Sequence, residues 1–344
     1  MQLIKPGIHI NFIEKRKIAF TFSMLMILAG IVSLIIHQGP KYGIDFAGGT
    51  VIQIKLSTAA TIGDIKSGLK SIGLEKSSVQ SFGERNTNEF LIHTDITDTD
   101  ENYSDTLQQA LKSSTGTDVE IRRIEMVGPQ VGKDLQEKAL FAMFYALLFI
   151  TIYISGRFEL KWMLSGIMAA ALMAAVYFFT LFKVSIPFLI GTALILSLVL
   201  FWFLELKYAM GAIVALIHDI IITVGIFSIF DKEFSLPIIA ALLTIIGYSL
   251  NDTIIVFDRI RENMRKHNKL PLDTIINKSI NETLSRTLLT SGTTIIVVLA
   301  LFVLGGGIIH DFAFAMLVGV VIGTYSSIYV ASPILLAWQN KEKK

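Results

Sequence analysis

Residues 238–257 read IIAALLTIIGYSLNDTIIVF, a stretch that is long and apolar enough to span a lipid bilayer. It nevertheless contains a carboxylate, Asp252, directly after Asn251. An ionised carboxylate at the centre of a membrane helix costs at least about 2.5–3.5 kcal/mol. Asp252 therefore needs a partner, a water-filled cavity or a proton, and each of these indicates a protein that handles ions or protons inside the membrane.

The composition predicts an integral membrane protein. Of the 344 residues, 53% are hydrophobic and only 17% are charged, whereas soluble domains carry roughly 25% charged residues. The chain contains no cysteine, which excludes disulfides, thiolate metal sites and thiol catalysis.

Hydropathy predicts eight membrane spans and one long polar interval. A span needs about 20 apolar residues. The candidate spans are 18–36, 137–155, 162–182, 186–204, 209–230, 235–257, 287–305 and 312–337. The first span is too long for the apolar region of a secretory signal, so we expect it to remain uncleaved.

Basic clusters set the predicted orientation. They lie at 14–17, 157–161, 205–207, 258–269 and 341–344. All of them fall on one side if every span crosses, and an excess of Lys and Arg in short loops marks the cytoplasmic side. We therefore expect both termini in the cytoplasm, residues 37–136 outside, and a bacterial cytoplasmic (inner) membrane location.

The external interval 37–136 predicts a small α+β domain. Alternating apolar residues indicate strands near 50–56, 79–82, 90–93 and 119–124. Thr61 can cap a first helix, and a helical stripe begins at Tyr103. The order β-α-β-β-α-β predicts a ferredoxin-like domain. No stretch in it resembles a catalytic site.

An internal repeat marks an additional helical hairpin. RFELKW at 157–162 is echoed by FLELKY at 203–208, and each leads into an apolar helix. The hairpin 162–208 is either a duplication without its charged residues or a chance similarity between apolar helices.

Three ionisable positions define the predicted site. Asp219, preceded by His218, lies near the middle of its span, and Asp252 lies closer to the cytoplasmic side. Arg286 begins the next span at a depth comparable to Asp252, so these two side chains could pair. We predict a proton path through Asp219, Asp252 and Arg286.

Nearby polar residues could support this path. Thr290, Thr293 and Thr294 share one helical face with Arg286, and His218 and Asn251 precede the two carboxylates. The structural alternative is that Arg286 extends to the interface and the threonines bond to their own helix. His218–Asp219 could likewise be a helix–helix contact. Residues 258–285 form an amphipathic segment on the membrane surface or against the spans.

Several motifs together resemble the SecF family, a subunit of the SecD–SecF accessory of bacterial protein export. The first is GIDFAGGT at 43–50, and the longest is GYSLNDTIIVFDRIREN at 247–263. Three further matches are His218-Asp219, RTLLTSGTT at 286–294 and SSIYVAS at 326–332. The hairpin departs from the family pattern, because SecF usually has six spans.

The resemblance implies an RND-type transporter half that works with SecD beside the SecY-containing channel. There it would use the proton-motive force to help move a preprotein outward. It also implies that Asp252 and Arg286 belong to the proton path. The essential carboxylate of SecD has no equivalent here, so the proton route is incomplete in this chain. We expect protons as the coupling ion, contact with membrane lipid, no other cofactor, no bound metal, no nucleic-acid partner and no enzymatic activity.

Two alternatives remain at this stage. An RND-like exporter of lipids or small molecules shares the architecture, but it would need a second half or a wide cavity. An intramembrane aspartyl protease could use Asp219 and Asp252, but its Gly-x-Gly-Asp motif is absent. The chain divides into 1–36, 37–136, 137–161, 162–208, 209–337 and 338–344.

Overall fold

The apolar segments fold as helices because a bilayer contains no water to satisfy backbone groups. The structure is a computed structural model, and it describes residues 9–82, 88–96, 103–182, 184–267 and 269–342. The long helices are α1 (Arg16–Ile36), α5 (Pro129–Glu159), α6 (Trp162–Thr180), α7 (Ile186–Phe203), α8 (Lys207–Ile229), α9 (Leu236–Lys266), α10 (Leu272–Leu304) and α11 (Gly307–Ser326). The short helices are α2 (Ile44–Ala47), α3 (Ile62–Ser71), α4 (Tyr103–Thr115) and α12 (Ser332–Glu342).

Seven described segments are long and apolar enough to cross a membrane. They comprise α1, α5, α6, α8, α9, α10 and the segment Ile309–Trp338, whereas the apolar helix Pro187–Phe203 within α7 is shorter. The difference from the eight predicted spans therefore lies in α7, whose crossing stays a prediction.

The amphipathic stretch 258–285 is divided between two long helices. Its first part continues α9 to Lys266, and its last part is the beginning of α10. The break lies at Pro271, which precedes the first residue of α10. A proline is tolerated there because the first turn of a helix leaves its backbone N–H groups without intrahelical partners. Arg286 consequently lies inside α10 rather than at its start.

The described residues between α1 and α5 form a four-stranded antiparallel sheet. Its strands are β1 (Gly49–Leu56), β2 (Ser78–Phe82), β3 (Glu89–Thr94) and β4 (Val119–Val127), in the spatial order β2-β3-β1-β4. Apolar residues of β1 and β3 share a core with α3 and α4. The element order β1-α3-β2-β3-α4-β4 matches the predicted one.

Helix α8 is the centre of the bundle. Of an apolar 18-residue stretch of α8, 61% of the residues are buried, against 17% of the corresponding stretch of α10. Gly30 of α1 and Gly225 of α8 meet so closely that a Cβ on Gly30 would lie 2.8 Å from the Gly225 Cα atom. Small residues at such crossings let membrane helices approach each other. The outward face of α10 is correspondingly open in the single chain.

The hairpin α6–α7 packs against the core of the bundle, beside a direct contact between α5 and α8. The Tyr208 backbone N–H at the start of α8 donates to Glu159 Oε1 at the end of α5, at 2.8 Å. The neighbouring rings of Phe158 and Tyr208 stack with centroids 5.2 Å apart. The end of α5 therefore contacts the start of α8 directly, and the hairpin lies outside that contact.

Candidate functional site in the helical bundle

Two carboxylates lie inside the bundle, where the sequence analysis expected them. Asp219 on α8 is 1% exposed and Asp252 on α9 is 0% exposed. Because a buried charge is unfavourable unless it is paired and hydrogen-bonded, their partners decide what each can do.

Hydrogen bonds surround Asp219 from three helices. Its Oδ2 accepts from Ser249 Oγ on α9 at 2.5 Å and from Ser326 Oγ on α11 at 2.8 Å. Its Oδ1 is hydrogen-bonded to His218 Nδ1 at 2.9 Å. Asp219 thus joins α8, α9 and α11.

The network continues from His218 to α1. His218 Nε2 lies 2.9 Å from Ser23 Oγ, which lies 3.0 Å from the Tyr325 hydroxyl. The Tyr325 hydroxyl donates to the Ala19 carbonyl oxygen at 2.6 Å. Because the single hydroxyl hydrogen of Tyr325 is donated to Ala19, Ser23 is the donor in its bond with Tyr325. The Ser23 oxygen is then the acceptor in its bond with His218, and Nε2 is the donor.

This order of donors fixes a proton between His218 and Asp219. If Nε2 of His218 carries a hydrogen, two protonation states allow the bond between Nδ1 and Asp219. In one, Nδ1 carries no hydrogen and accepts from a protonated carboxyl group. In the other, His218 is an imidazolium and donates from Nδ1 to a carboxylate. In both forms the pair holds one ionisable proton. Asp219 and His218 therefore form a hydrogen-bonded pair, which Ser23 connects to α1.

Asp252 has fewer partners than Asp219. Its Oδ2 accepts from Ser291 Oγ on α10 at 3.2 Å and from Thr324 Oγ1 on α11 at 3.4 Å. Its Oδ1 is buried and has no hydrogen-bond partner among the described residues. An ionised carboxylate with one such oxygen is unfavourable, and binding a proton removes the charge.

The two carboxylates belong to two neighbouring sets of hydrogen-bonded polar groups, one around Asp219 and one around Asp252. Ser249 and Asp252 are one helical turn apart on α9, and Thr324 and Ser326 are close neighbours on α11. We call the two sets together the polar seam. Its members are Ser23, His218, Asp219, Ser249, Asp252, Ser291, Thr324, Tyr325 and Ser326.

Arg286 lies apart from the seam. It is exposed on α10, and no ion pair joins it to Asp252 in the described part of the chain. Ser291, which does reach Asp252, is five residues further on and so lies about 140° around the helix. The expected pair does not form, although Arg286 is close enough for its charge to act on Asp252 through space.

Two of the three predicted threonines, Thr290 and Thr293, hydrogen-bond to their own helix. The Thr290 hydroxyl donates to the Arg286 carbonyl oxygen, and the Thr293 hydroxyl donates to that of Leu289, within the same helix. Thr294 Oγ1 instead accepts from the Tyr248 hydroxyl of α9 at 3.0 Å. None of the three contacts Asp252.

An exposed polar surface nevertheless remains on the outside of α9 and α10. It consists of Asn251, Arg286, Thr290 and Thr293, which we call the polar stripe. Polar and charged groups in membrane helices rarely face lipid and usually face a bundle interior or a cavity.

Sequence reasoning found the carboxylates but missed most of their hydroxyl partners. Ser249, Ser291 and Ser326 all lie in the motifs that carried the resemblance, so a search of those motifs for hydroxyl groups could have found them. A π-helical turn, Ser327–Ala331, follows Ser326 directly, and such turns occur frequently at functional sites.

Comparisons with known proteins match nearly the whole length of the chain. The family model described as "Protein export membrane protein SecD/SecF, C-terminal" matches residues 106–190 and 180–341, and the "SecD/SecF GG Motif" model matches 33–60. The protein translocase subunit SecF of Magnetococcus marinus is 43% identical over 341 residues, which cover 98% of this chain and 94% of that protein. The SecF of Vibrio alginolyticus is 41% identical over 337 residues, covering 97% of this chain and 91% of the relative.

Solved structures agree in fold. The crystal structure of SecDF from Thermus thermophilus, described as a translocon-associated membrane protein, superimposes with a TM-score of 0.76 at 31% identity and covers 99% of this chain. A SecDF structure in a super-membrane-facing form gives a TM-score of 0.63 at 30% identity and covers 100% of this chain. The chain spans 40% of the length of each SecDF chain.

Proposed function

The chain belongs to the SecF branch of the SecD/SecF family of protein-export membrane proteins, and we propose that it couples the proton-motive force to late stages of preprotein translocation. In this proposal Asp252 takes up and releases the coupling proton. The observation that carries it is the environment of Asp252, which is fully buried and has one oxygen without a hydrogen-bond partner among the described residues.

Protonation of Asp252 would change the packing of three helices. In the ionised form Asp252 attracts the hydroxyls of Ser291 and Thr324, which hold α10 and α11 against α9. The neutral form bonds to them less strongly, because hydrogen bonds to ionised groups are the stronger ones. Proton binding therefore biases the bundle between two arrangements, as a ligand biases any two-state element.

Asp219 provides a second proton site on the same seam. The shared proton of His218 and Asp219 lies one turn of α9 from Asp252 by way of Ser249. We propose that the seam carries protons between the two carboxylates. Each carboxylate has its own set of hydroxyl partners, so the arrangement does not favour an aspartyl protease dyad.

We propose that a SecD-type chain covers the polar stripe. Arg286 needs an anionic or polar partner within the membrane, and this chain does not provide one among its described residues. The SecDF structures contain a longer chain, of which this one spans 40%. A SecD-type carboxylate facing Arg286 would complete the proton route.

The charge pattern and the order of the elements also support a proposal for the span number, orientation and partners of the chain. We propose eight crossings in an RND-type bundle, with α6 and α7 as an added hairpin. Both termini lie in the cytoplasm of a bacterium, and a ferredoxin-like domain lies outside the inner membrane. The translocating preprotein and a SecY-containing channel are the proposed partners on the export route. These placements rest on the basic clusters of the short loops and on the antiparallel sheet.

Replacement of Asp252 by Asn tests the proposal. Asn keeps the shape but cannot bind and release a proton, so Asp252→Asn should insert normally and lose its support of proton-driven secretion. The matched control is Asp258→Asn, on the same helix, where Asp258 makes an exposed ion pair with Arg157 at 2.6 Å. Wild-type secretion by cells that carry only Asp252→Asn would overturn the proposal.

A further inference from the structure

Asp45 connects the external domain to the helix that carries Asp252. Asp45 lies in α2, the single helical turn between α1 and the sheet. Its Oδ2 accepts a hydrogen bond from the Leu236 backbone N–H, the first residue of α9, at 2.8 Å. The preceding residue, Ser235, provides no side-chain cap for α9. Asp45 therefore supplies a cap from 191 positions away in the sequence, and its charge also suits the positive end of a helix.

Backbone hydrogen bonds strengthen the same connection. The Phe234 N–H donates to the Lys41 carbonyl oxygen at 2.7 Å, and the Gly43 N–H donates to the Phe234 carbonyl oxygen at 2.8 Å. A Cβ on Gly43 would lie 3.2 Å from that carbonyl oxygen. The segment 41–43 and the loop before α9 thus run together as a short parallel pair.

The other end of the connection leads directly into the sheet. Phe46 is buried in a cluster with Phe234 and with Ile238 of α9. Gly48 and Gly49 follow with φ of +77° and +118°, values that glycine adopts without strain. A Cβ on Gly49 would lie 2.6 Å from the Thr94 carbonyl oxygen of β3, so this turn is packed tightly against the sheet. No flexible linker separates Asp45 from β1.

We propose that Asp45 is a positioning residue that transmits movement of α9 to the external sheet. This inference rests on the proposed proton-driven function of Asp252. Asp252 lies about 24 Å along α9 from Leu236 at the helical rise. A tilt or shift of α9 on protonation of Asp252 reaches Leu236, and the bond from Leu236 to Asp45 passes it into β1.

Distance measurements between spin labels test the proposal. The chain contains no cysteine, so Ser67→Cys on α3 and Ile229→Cys at the outer end of α8 can be labelled specifically; both positions are exposed. The full chain is reconstituted in liposomes with a cysteine-free SecD-type partner. The distance between the two labels is measured in the chain with Asp252 and in the same chain with Asp252→Asn. We call the difference between the two distance distributions the conformational response.

We expect a clear response in the parent and less than half of it in Asp45→Ala. Asp45→Asn, whose amide oxygen can still accept the bond, should keep most of the response. The matched control is Asp64→Ala, which removes the capping box that Asp64 forms with Thr61 at the start of α3 in the same domain. That variant should respond like the parent, because the hydrogen bonds of Asp64 go to Thr61 at the start of its own helix.

The outcomes separate the two proposals. A full response in Asp45→Ala overturns the role of Asp45 and leaves the proton-driven function intact. An absent response to Asp252→Asn in the parent overturns the proton-driven function and the coupling with it. If Asp45→Ala does not insert, Gly43→Ala is used instead, because it perturbs the same connection at the Phe234 carbonyl oxygen. A full conformational response in Gly43→Ala would also overturn the proposed coupling.

Discussion

At the scale of single residues, the two buried carboxylates differ in how well they are satisfied. Asp219 accepts bonds at 2.5 and 2.8 Å and is also hydrogen-bonded to His218. Asp252 has only two longer bonds, at 3.2 and 3.4 Å, to one of its oxygens. A well-satisfied group stabilises one arrangement, whereas a poorly satisfied one can change its protonation at lower cost. Asp219 should accordingly matter more for stability, and Asp252 more for the cycle.

Alanine substitution separates these two roles. Asp219→Ala leaves Ser249 without its acceptor and His218 Nδ1 without its partner, and each buried unsatisfied group costs about 1–3 kcal/mol. We expect a free energy of unfolding lower by about 3 kcal/mol or more, measured as a reduced melting temperature in detergent. Compared with Asp219→Ala, Asp252→Ala should lose less stability and more of its support of secretion. The reverse ranking of the two variants in stability would contradict this assignment.

The sequence predicted this site only as far as single charged residues permit. A carboxylate in an apolar span is conspicuous, so Asp219 and Asp252 could be found. Arg286 was expected to pair with Asp252 because it lies at a comparable depth, but depth does not determine which face of α10 points inward. Hydroxyl partners such as Ser23 and Thr324 come from distant segments, and only the packing of the helices brings them to the seam.

At the scale of elements, hydropathy located the helices better than it located their ends. Apolar length determines a span, and each of the predicted spans contains a helix. The ends depend on backbone signals: α10 begins at Leu272, after Pro271, and runs through the position where a span was expected to start. By contrast, α7 covers Ile186–Phe203, nearly the whole of the span predicted at 186–204.

The hairpin α6–α7 should be separable from the mechanism. None of its described residues belongs to the polar seam, and the Glu159–Tyr208 bond already closes the junction beside it. Deleting 162–207 joins Lys161 to Tyr208 and keeps Glu159 within reach of the N-terminus of α8. We expect this variant to insert and to retain secretion.

Two measurements control the deletion. Membrane levels and association with the SecD-type partner show whether the shortened chain is intact. Loss of secretion with both of these normal would show that the hairpin is part of the working machine.

At the scale of the whole molecule, the chain presents one outer face that is unsuited to lipid. The polar stripe lies on α9 and α10, and the apolar part of α10 is the least buried among the seven candidate spans of the described residues. A face of this kind is stable in the membrane when a second protein covers it, which agrees with a chain that spans 40% of the SecDF structures.

Charge reversal at Arg286 tests this contact. Arg286→Glu should weaken co-purification with the SecD-type partner, because the partner's facing groups are expected to be anionic or polar. Lys278→Glu on the same helix, outside the polar stripe, is the control and should co-purify normally. Equal association of both variants with the partner would argue against a partner at the stripe.

The most direct test of the proton-driven function measures proton flux. The full chain and its SecD-type partner are reconstituted in liposomes that contain a pH-sensitive dye, and a proton gradient is imposed. We predict that flux is lost in Asp252→Asn and retained in Asp258→Asn, because Asp252 is buried in the polar seam whereas Asp258 makes an exposed ion pair. Equal proton flux in the wild type and Asp252→Asn would contradict the account.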